Sequence, residues 1–378
     1  MLKNIALLAV SVVFTLVVSE VLLRQFYERP ELAMDNFKAT MPPTYHTDAE
    51  LGWLPDKNVQ ASHNRPGSFE SQYSTNSLGL RDREHSFDRV PGKKRIVVVG
   101  DSFAWGYGVN DGEIFTDTIE QLAPEFEVIN LGVTAYGLRQ EIAYFKRFGM
   151  KFTPDILMVA FVQNDIYDIP KQQPESATKA TQPNDNESII KDSDAGSTLH
   201  RFKKKLSNEV VMYGLLVDAL NSSPVMVDLL VKMGLKESLG GFEVLDPSVG
   251  PALKTYPSAI EMGWESIFEQ LRGLKTYTDD NDIRLILALV PALQSVDPQA
   301  LSRSLTYSTY RPTDFDIAKP YARIESFCLE TGIEVINPLP AFVQMHDSGE
   351  SLYLYGDMHF NTTGHQLFAE EISRYLVQ

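Results

Sequence analysis

Five short apolar runs punctuate the chain at 95–99, 126–131, 156–162, 284–290 and 333–336, each of strand length and rich in β-branched residues. At least one helix-length segment separates each run from the next. Near-continuous hydrophobic strands joined by helical crossovers are the pattern of a parallel sheet covered on both faces. The intervening segments carry helical stripes. Ile260, Trp264, Ile267, Leu271 and Leu274 share one face, with Ser258 and Glu261 spaced as a capping box at its start. Phe368, Ile372 and Tyr375 mark a similar stripe in the C-terminal helix, and 321–331 reads as a further helix. The expectation is an α/β fold with about five parallel strands.

Three stretches depart from this alternation. Residues 5–23 form an almost wholly apolar run of nineteen, broken by small hydroxyl residues and Glu20 and flanked by Lys3, Arg24 and Arg29. At 1.5 Å per residue it reaches about 28 Å, close to a bilayer's hydrocarbon thickness. It reads as a transmembrane anchor or a signal segment over 1–25. The anchor is favoured because no A-x-A pattern precedes a cleavage point and Leu22 and Leu23 extend the run. A short N-terminal tail would stay inside and leave the bulk of the chain outside the cytoplasm, in a single-pass arrangement at the cell membrane. Residues 26–92, rich in Pro, Asn, Asp and aromatics, read as a stem and an irregular layer over the domain that fills 93–378. Within that domain, 170–252 reads as an insertion: a polar loop at 171–197 too poor in apolar surface to order itself, then two amphipathic helices at 210–220 and 225–235. A lid, a partner surface and decoration are all open for it.

Charge removes one class of partner. Thirty-four Lys plus Arg against fifty Asp plus Glu give a formal charge of -16, which repels phosphate backbones and excludes nucleic acid as the expected ligand. Cys328 is the single cysteine, so no intrachain disulfide is possible.

Candidate chemistry gathers where the strand-like runs end. Gly100, Asp101 and Ser102 follow the first run, at the strand carboxyl end where open parallel sheets bind ligands. Alone they also describe a helix N-cap; a phosphate loop is disfavoured, since no G-x-G-x-x-G and no following lysine is present. Near the C-terminus, Asp357 and His359 lie just before the last helix. A serine hydroxyl needs an imidazole to take its proton, and the imidazole needs a carboxylate to fix its tautomer. His359 with His365 would suit a metal only if a third ligand of defined spacing existed, and none is visible in the sequence. Gly132 after the second run and Asn164 after the third are candidate donors to an oxyanion, though each residue type is also an ordinary turn former.

Together, Gly-Asp-Ser at 100–102, Gly132 in Asn-Leu-Gly-Val, Asn164 in Asn-Asp, and Asp357 with His359 before Asn361 and Gly364 resemble the SGNH (GDSL) hydrolase superfamily. The resemblance runs from about 93 to the C-terminus without the insertion. Thr75-Asn76-Ser77-Leu78-Gly79-Leu80-Arg81 and the apolar N-terminus look like its bacterial, membrane-anchored members. It implies a flavodoxin-like three-layer α/β/α sandwich, Ser102 as nucleophile, His359 as base and then acid, Asp357 as its orienter, and an oxyanion held by the Ser102 and Gly132 N–H groups and the Asn164 side chain. No cofactor is implied. Two departures stand out: one residue, Met358, separates Asp357 from His359 where the family spaces them by two, and Val162 stands where a glycine is common. Three functions follow in order: hydrolysis of a small acyl ester, such as acetyl on an envelope or extracellular glycan; acyl transfer to a polysaccharide by the same residues; and a non-catalytic, anchored glycan-binding or assembly protein.

Overall fold

The computed structural model describes residues 11, 15, 18–20, 22–23, 44–65, 67–167, 249–305 and 310–377. In the apolar run, Ser11, Thr15, Val18, Ser19, Glu20, Leu22 and Leu23 are helical, and the rest of it lies outside the described residues. Among the described residues no helix is long and apolar enough to cross a membrane. The polar loop expected at 171–197 and the two helices expected at 210–220 and 225–235 also lie outside them; of the insertion, only its last residues are described, where Gly250–Ala252 forms a 3-10 turn. The chain divides into two compact units, 1–41 with 187–244 and 306–309, and 42–186 with 245–305 and 310–378. The second holds the sheet and every candidate residue.

Part of the layer expected to be irregular, from Tyr45 to Ser74, forms two hairpins. Strands β1 (Tyr45–Asp48) and β2 (Gly52–Pro55) pair antiparallel, as do β3 (Gln60–Arg65) and β4 (Phe69–Ser74), with Arg65 opposite Phe69. The inward face of the second hairpin is built from Ala61, His63, Ser71 and Tyr73, all buried. Small and polar residues there carry no aliphatic alternation, so the usual strand signal is missing. Arg81, from the Thr75–Arg81 block, is buried and donates to the carbonyls of Gly106 and Val109 at 2.6 and 2.5 Å. Its guanidinium also lies over the rings of Tyr73 and Trp105. The N-terminal layer is thereby fastened to the loop that follows Ser102.

All five expected strands form. The chain continues through β5 (Lys94–Gly100), α1 (Ser102–Trp105), α2 (Phe115–Leu122), β6 (Phe126–Asn130), α3 (Leu138–Arg147) and β7 (Ile156–Phe161). After the insertion come α4 (Ser258–Asp280), β8 (Arg284–Leu289), α5 (Leu293–Val296), α6 (Pro298–Ser304), α7 (Lys319–Thr331), β9 (Glu334–Ile336), α8 (Leu339–Asp347) and α9 (Thr362–Leu376). The sheet is parallel throughout, in the order β6-β5-β7-β8-β9, which is the flavodoxin-like arrangement. On one face Ile96, Val98, Val128, Met158 and Ile286 pack with Phe115, Ile119, Phe368 and Ile372 of α2 and α9. On the other, Phe161 meets Trp264 of α4, and Phe145 of α3 meets Tyr277 of α4. Both faces are covered, giving three layers.

The expected stripe on α4 is buried as read, from Ile260 to Leu274. The capping box is not formed. Pro257 takes the N-cap position, which places Ser258 inside the helix, and Glu261 turns instead to Arg323 of α7 at 2.5 Å. Cys328 is buried in α7, where burial pushes its thiol up to about 12.

Candidate active site

The carboxyl ends of the strands bring the candidate residues to one edge of the sheet. Strand β5 ends at Gly100, Asp101 caps α1 by accepting from the Phe103 N–H at 2.9 Å, and Ser102 opens the helix. Four residues later Gly106 ends α1 in the left-handed region at φ 84°, with Ile114 packed where a side chain would be. Ser102 thus stands at the junction between β5 and α1, at the carboxyl edge of the sheet. Burial raises the Asp101 carboxyl to about 6.

From the far end of the chain, the loop before α9 carries His359 to this junction. Tyr353 bridges Phe360, the Leu354 N–H donates to the His359 carbonyl at 2.9 Å, and Asn361 caps α9 through the Gly364 N–H. So anchored, His359 Nε2 lies 2.7 Å from Ser102 Oγ, and Nδ1 lies 2.6 Å from Asp357 Oδ1. Burial opposes ionisation of Asp357, but the hydrogen bond and charge of His359, aided by the Arg65 guanidinium, hold its carboxyl well below the usual carboxylate range. An ionised Asp357 must accept, so Nδ1 carries a proton, and in the neutral imidazole Nε2 is then left to accept from the Ser102 hydroxyl. That is the tautomer a general base requires.

Single-residue spacing between Asp357 and His359 therefore still brings carboxylate to imidazole. The same oxygen also accepts the His359 backbone N–H at 3.0 Å. The rest of the chain grips the pair from two sides. Arg65 donates through Nη1 to Asp357 Oδ2 at 2.5 Å. Tyr107 stacks on the His359 ring, with centroids 4.3 Å apart and planes 28° apart, and burial beside Asp357 raises its phenol to about 12. Neither residue was singled out from sequence. Tyr107 stands in the run after Ser102 with nothing to distinguish it from core, and Arg65 sits in a hairpin whose polar pattern concealed the strand.

The two expected oxyanion donors are placed differently. Gly132 packs against the backbone that follows Ser102: an added Cβ would lie 2.5 Å from both Ala104 C and Trp105 N. Its N–H already donates to the Asn130 carboxamide oxygen at 2.8 Å, while Asn130 Nδ2 donates to the Ala104 carbonyl at 2.7 Å. Asn164 lies in the 3-10 turn Gln163–Tyr167 at the end of β7, and its carboxamide oxygen is buried with no hydrogen-bond partner among the described residues. His365 takes no part in a shared site with His359. It is buried against Phe115, accepts that residue's N–H at 3.3 Å, and burial holds its imidazole down at about 3. Among the described residues no group of three His, Cys, Asp or Glu side chains could hold a metal ion.

No known family profile matches the chain, and no curated protein matches it. Among solved structures, it is similar to a member of the lipolytic protein G-D-S-L family from Veillonella parvula, at 14% identity and a TM-score of 0.38, covering 75% of this chain and 99% of the other. It is also similar to a GDSL-like lipase from Bacteroides thetaiotaomicron, at 11% identity and a TM-score of 0.37, covering 76% and 90%. A catalytic mutant of an acetylxylan esterase from Geobacillus stearothermophilus matches at 12% identity and a TM-score of 0.38, covering 76% and 95%. Likeness so distant carries no weight on activity, which rests on the residues of this chain.

Proposed function

We propose that the chain is a serine esterase of the SGNH type that hydrolyses small acyl esters, acetyl foremost, on an envelope or extracellular glycan. One observation carries this reading: an unbroken hydrogen-bonded line from Ser102 Oγ through both nitrogens of His359 to Asp357. Ser102 Oγ attacks the ester carbonyl and its proton passes to His359 Nε2, where the Asp357 carboxylate stabilises the imidazolium. The oxygen that gains charge is held by the Ser102 N–H, by the Asn164 carboxamide, and by the Gly132 N–H, which is shared with Asn130. Collapse expels the sugar hydroxyl with the proton from His359, and water then repeats the sequence to release the acid. The apolar run at 5–23 tethers the enzyme to the membrane, with the site outside the cytoplasm.

A fluorophosphonate probe tests this directly: the wild-type chain labels at Ser102, and Ser102→Ala and His359→Ala do not. Persistent labelling of Ser102→Ala would remove the assignment, and no labelling of the wild type would favour the non-catalytic alternative. Products from an acetylated glycan separate the remaining pair, because hydrolysis releases acetic acid whereas a transferase would deliver the acetyl group to an added sugar acceptor.

A further inference from the structure

We propose that Arg65 is a positioning residue of this site: its guanidinium fixes Asp357 so that a carboxylate only two positions from the histidine meets the imidazole squarely. The inference rests on the reading of Ser102, His359 and Asp357 as the reacting set.

Asp357 faces a geometric difficulty. In the segment Asp357-Met358-His359 the carboxylate must fold back onto a near neighbour, and Oδ1 takes both the backbone N–H and Nδ1 of His359. Only 8% of the side chain is exposed, so Oδ2 is withdrawn from water and needs a donor of its own. Arg65 supplies it from 292 positions away at 2.5 Å. A charge-assisted bond to a buried carboxylate is both strong and directional, which removes rotation about the Asp357 side chain as a way to lose the imidazole.

The hairpin that carries Arg65 also reaches the imidazole by a second route. His63 of β3 meets the Tyr107 ring edge-on at 4.5 Å, and Phe69 of β4, opposite Arg65, meets it at 5.3 Å. Tyr107 in turn lies flat on His359. One hairpin thus sets the carboxylate through Arg65 and the ring plane through Tyr107. The catalytic unit therefore extends upstream of β5 into the N-terminal layer.

The test compares Arg65→Ala, Arg65→Gln and Arg65→Lys with the wild type on p-nitrophenyl acetate and in the rate of fluorophosphonate labelling. Arg65→Ala and Arg65→Gln are expected to lose about 10- to 100-fold in kcat and in labelling rate with KM within about twofold, on the scale of one lost charge-assisted bond in the transition state. Arg65→Lys is expected to recover part of the loss, and free guanidinium on the order of tens of millimolar to restore part of Arg65→Ala. Recovery by a free cation is not expected of a residue that merely holds the hairpin folded. Wild-type kcat in Arg65→Ala overturns the proposal. So does an equal loss in all three variants with a lowered Tm and no response to guanidinium, which would make Arg65 structural. The outcomes separate the two readings: a wild type that labels at Ser102 and is indifferent to Arg65 sinks only this inference, whereas a wild type that neither labels nor turns over sinks both.

Discussion

Replacing Asp357 with Asn puts the one-residue spacing to its hardest trial. Both carboxylate oxygens face donors: Oδ1 accepts His359 Nδ1 at 2.6 Å and the His359 N–H at 3.0 Å, and Oδ2 accepts Arg65 at 2.5 Å. A carboxamide can match only one side. With its NH2 in the place of Oδ2 it confronts the guanidinium donor to donor, and a buried donor without an acceptor costs about 1–3 kcal/mol. With its NH2 in the place of Oδ1 it satisfies the imidazole only if Nδ1 is bare. The ring proton then moves to Nε2 and blocks transfer from Ser102. The wrong tautomer in a serine–histidine–aspartate site lowers kcat by about 10,000-fold, which is about 5.4 kcal/mol at roughly 1.36 kcal/mol per tenfold. Steady-state hydrolysis of p-nitrophenyl acetate is therefore expected to show a kcat loss on the order of 10,000-fold with KM altered by less than about threefold, since the ground-state ester does not touch Asp357. A variant that keeps about a tenth or more of the wild-type kcat would refute the role of the carboxylate, and leave Arg65 and Asp357 as a structural ion pair beside an independent base.

Gly132→Ala forces a methyl group to within 2.5 Å of the backbone at Ala104 and Trp105. Overpacking of this kind costs about 1–3 kcal/mol, so Tm should fall by several degrees and kcat at least tenfold as the segment after Ser102 is displaced; a wild-type melting curve would show that the two segments are not in contact. Asp101 supplies a pH signature. Its carboxyl is raised from 3.8 to about 6 by burial, so the folded state binds the proton more tightly than the unfolded chain, and the stability this contributes is complete below 3.8 and lost as pH rises through about 6. Asp101→Asn keeps an acceptor for the Phe103 N–H but no longer titrates. Calorimetry at steps between those two pH values should show a flatter dependence of Tm in the variant, and an unchanged dependence would mean that Asp101 is solvated.

The sheet was legible because parallel strands covered on both faces need apolar residues at consecutive positions, and such runs are unmistakable from Ile96 to Val99 or from Ile156 to Phe161. Ser102 and His359 were legible for a related reason: Ser102 follows directly on a strand and His359 lies just before a helix, and the ends of both elements could be located. The second hairpin was not. Its buried positions hold Ala61, His63 and Ser71, so polarity alternated with nothing, and no spacing rule ties Arg65 to a carboxylate near the opposite terminus. The capping box at Ser258 failed on a backbone preference, since Pro257 is extended with φ -61° and ψ 155°, suits the N-cap, and moves the serine one place too far in. Gly132 was picked out as an oxyanion donor, and the structure gives it a packing role that the sequence did not show. Close approach to Ala104 requires glycine there whatever its N–H does.

The hydrogen bonds that assemble the site join positions 257 and 292 residues apart. In a growing polypeptide the Ser102 hydroxyl consequently meets His359 only once the segment around 357–359 has emerged and docked. A chain clipped ahead of Asp357 keeps all five strands of the parallel sheet and Ser102, yet has no His359 to set beside the hydroxyl.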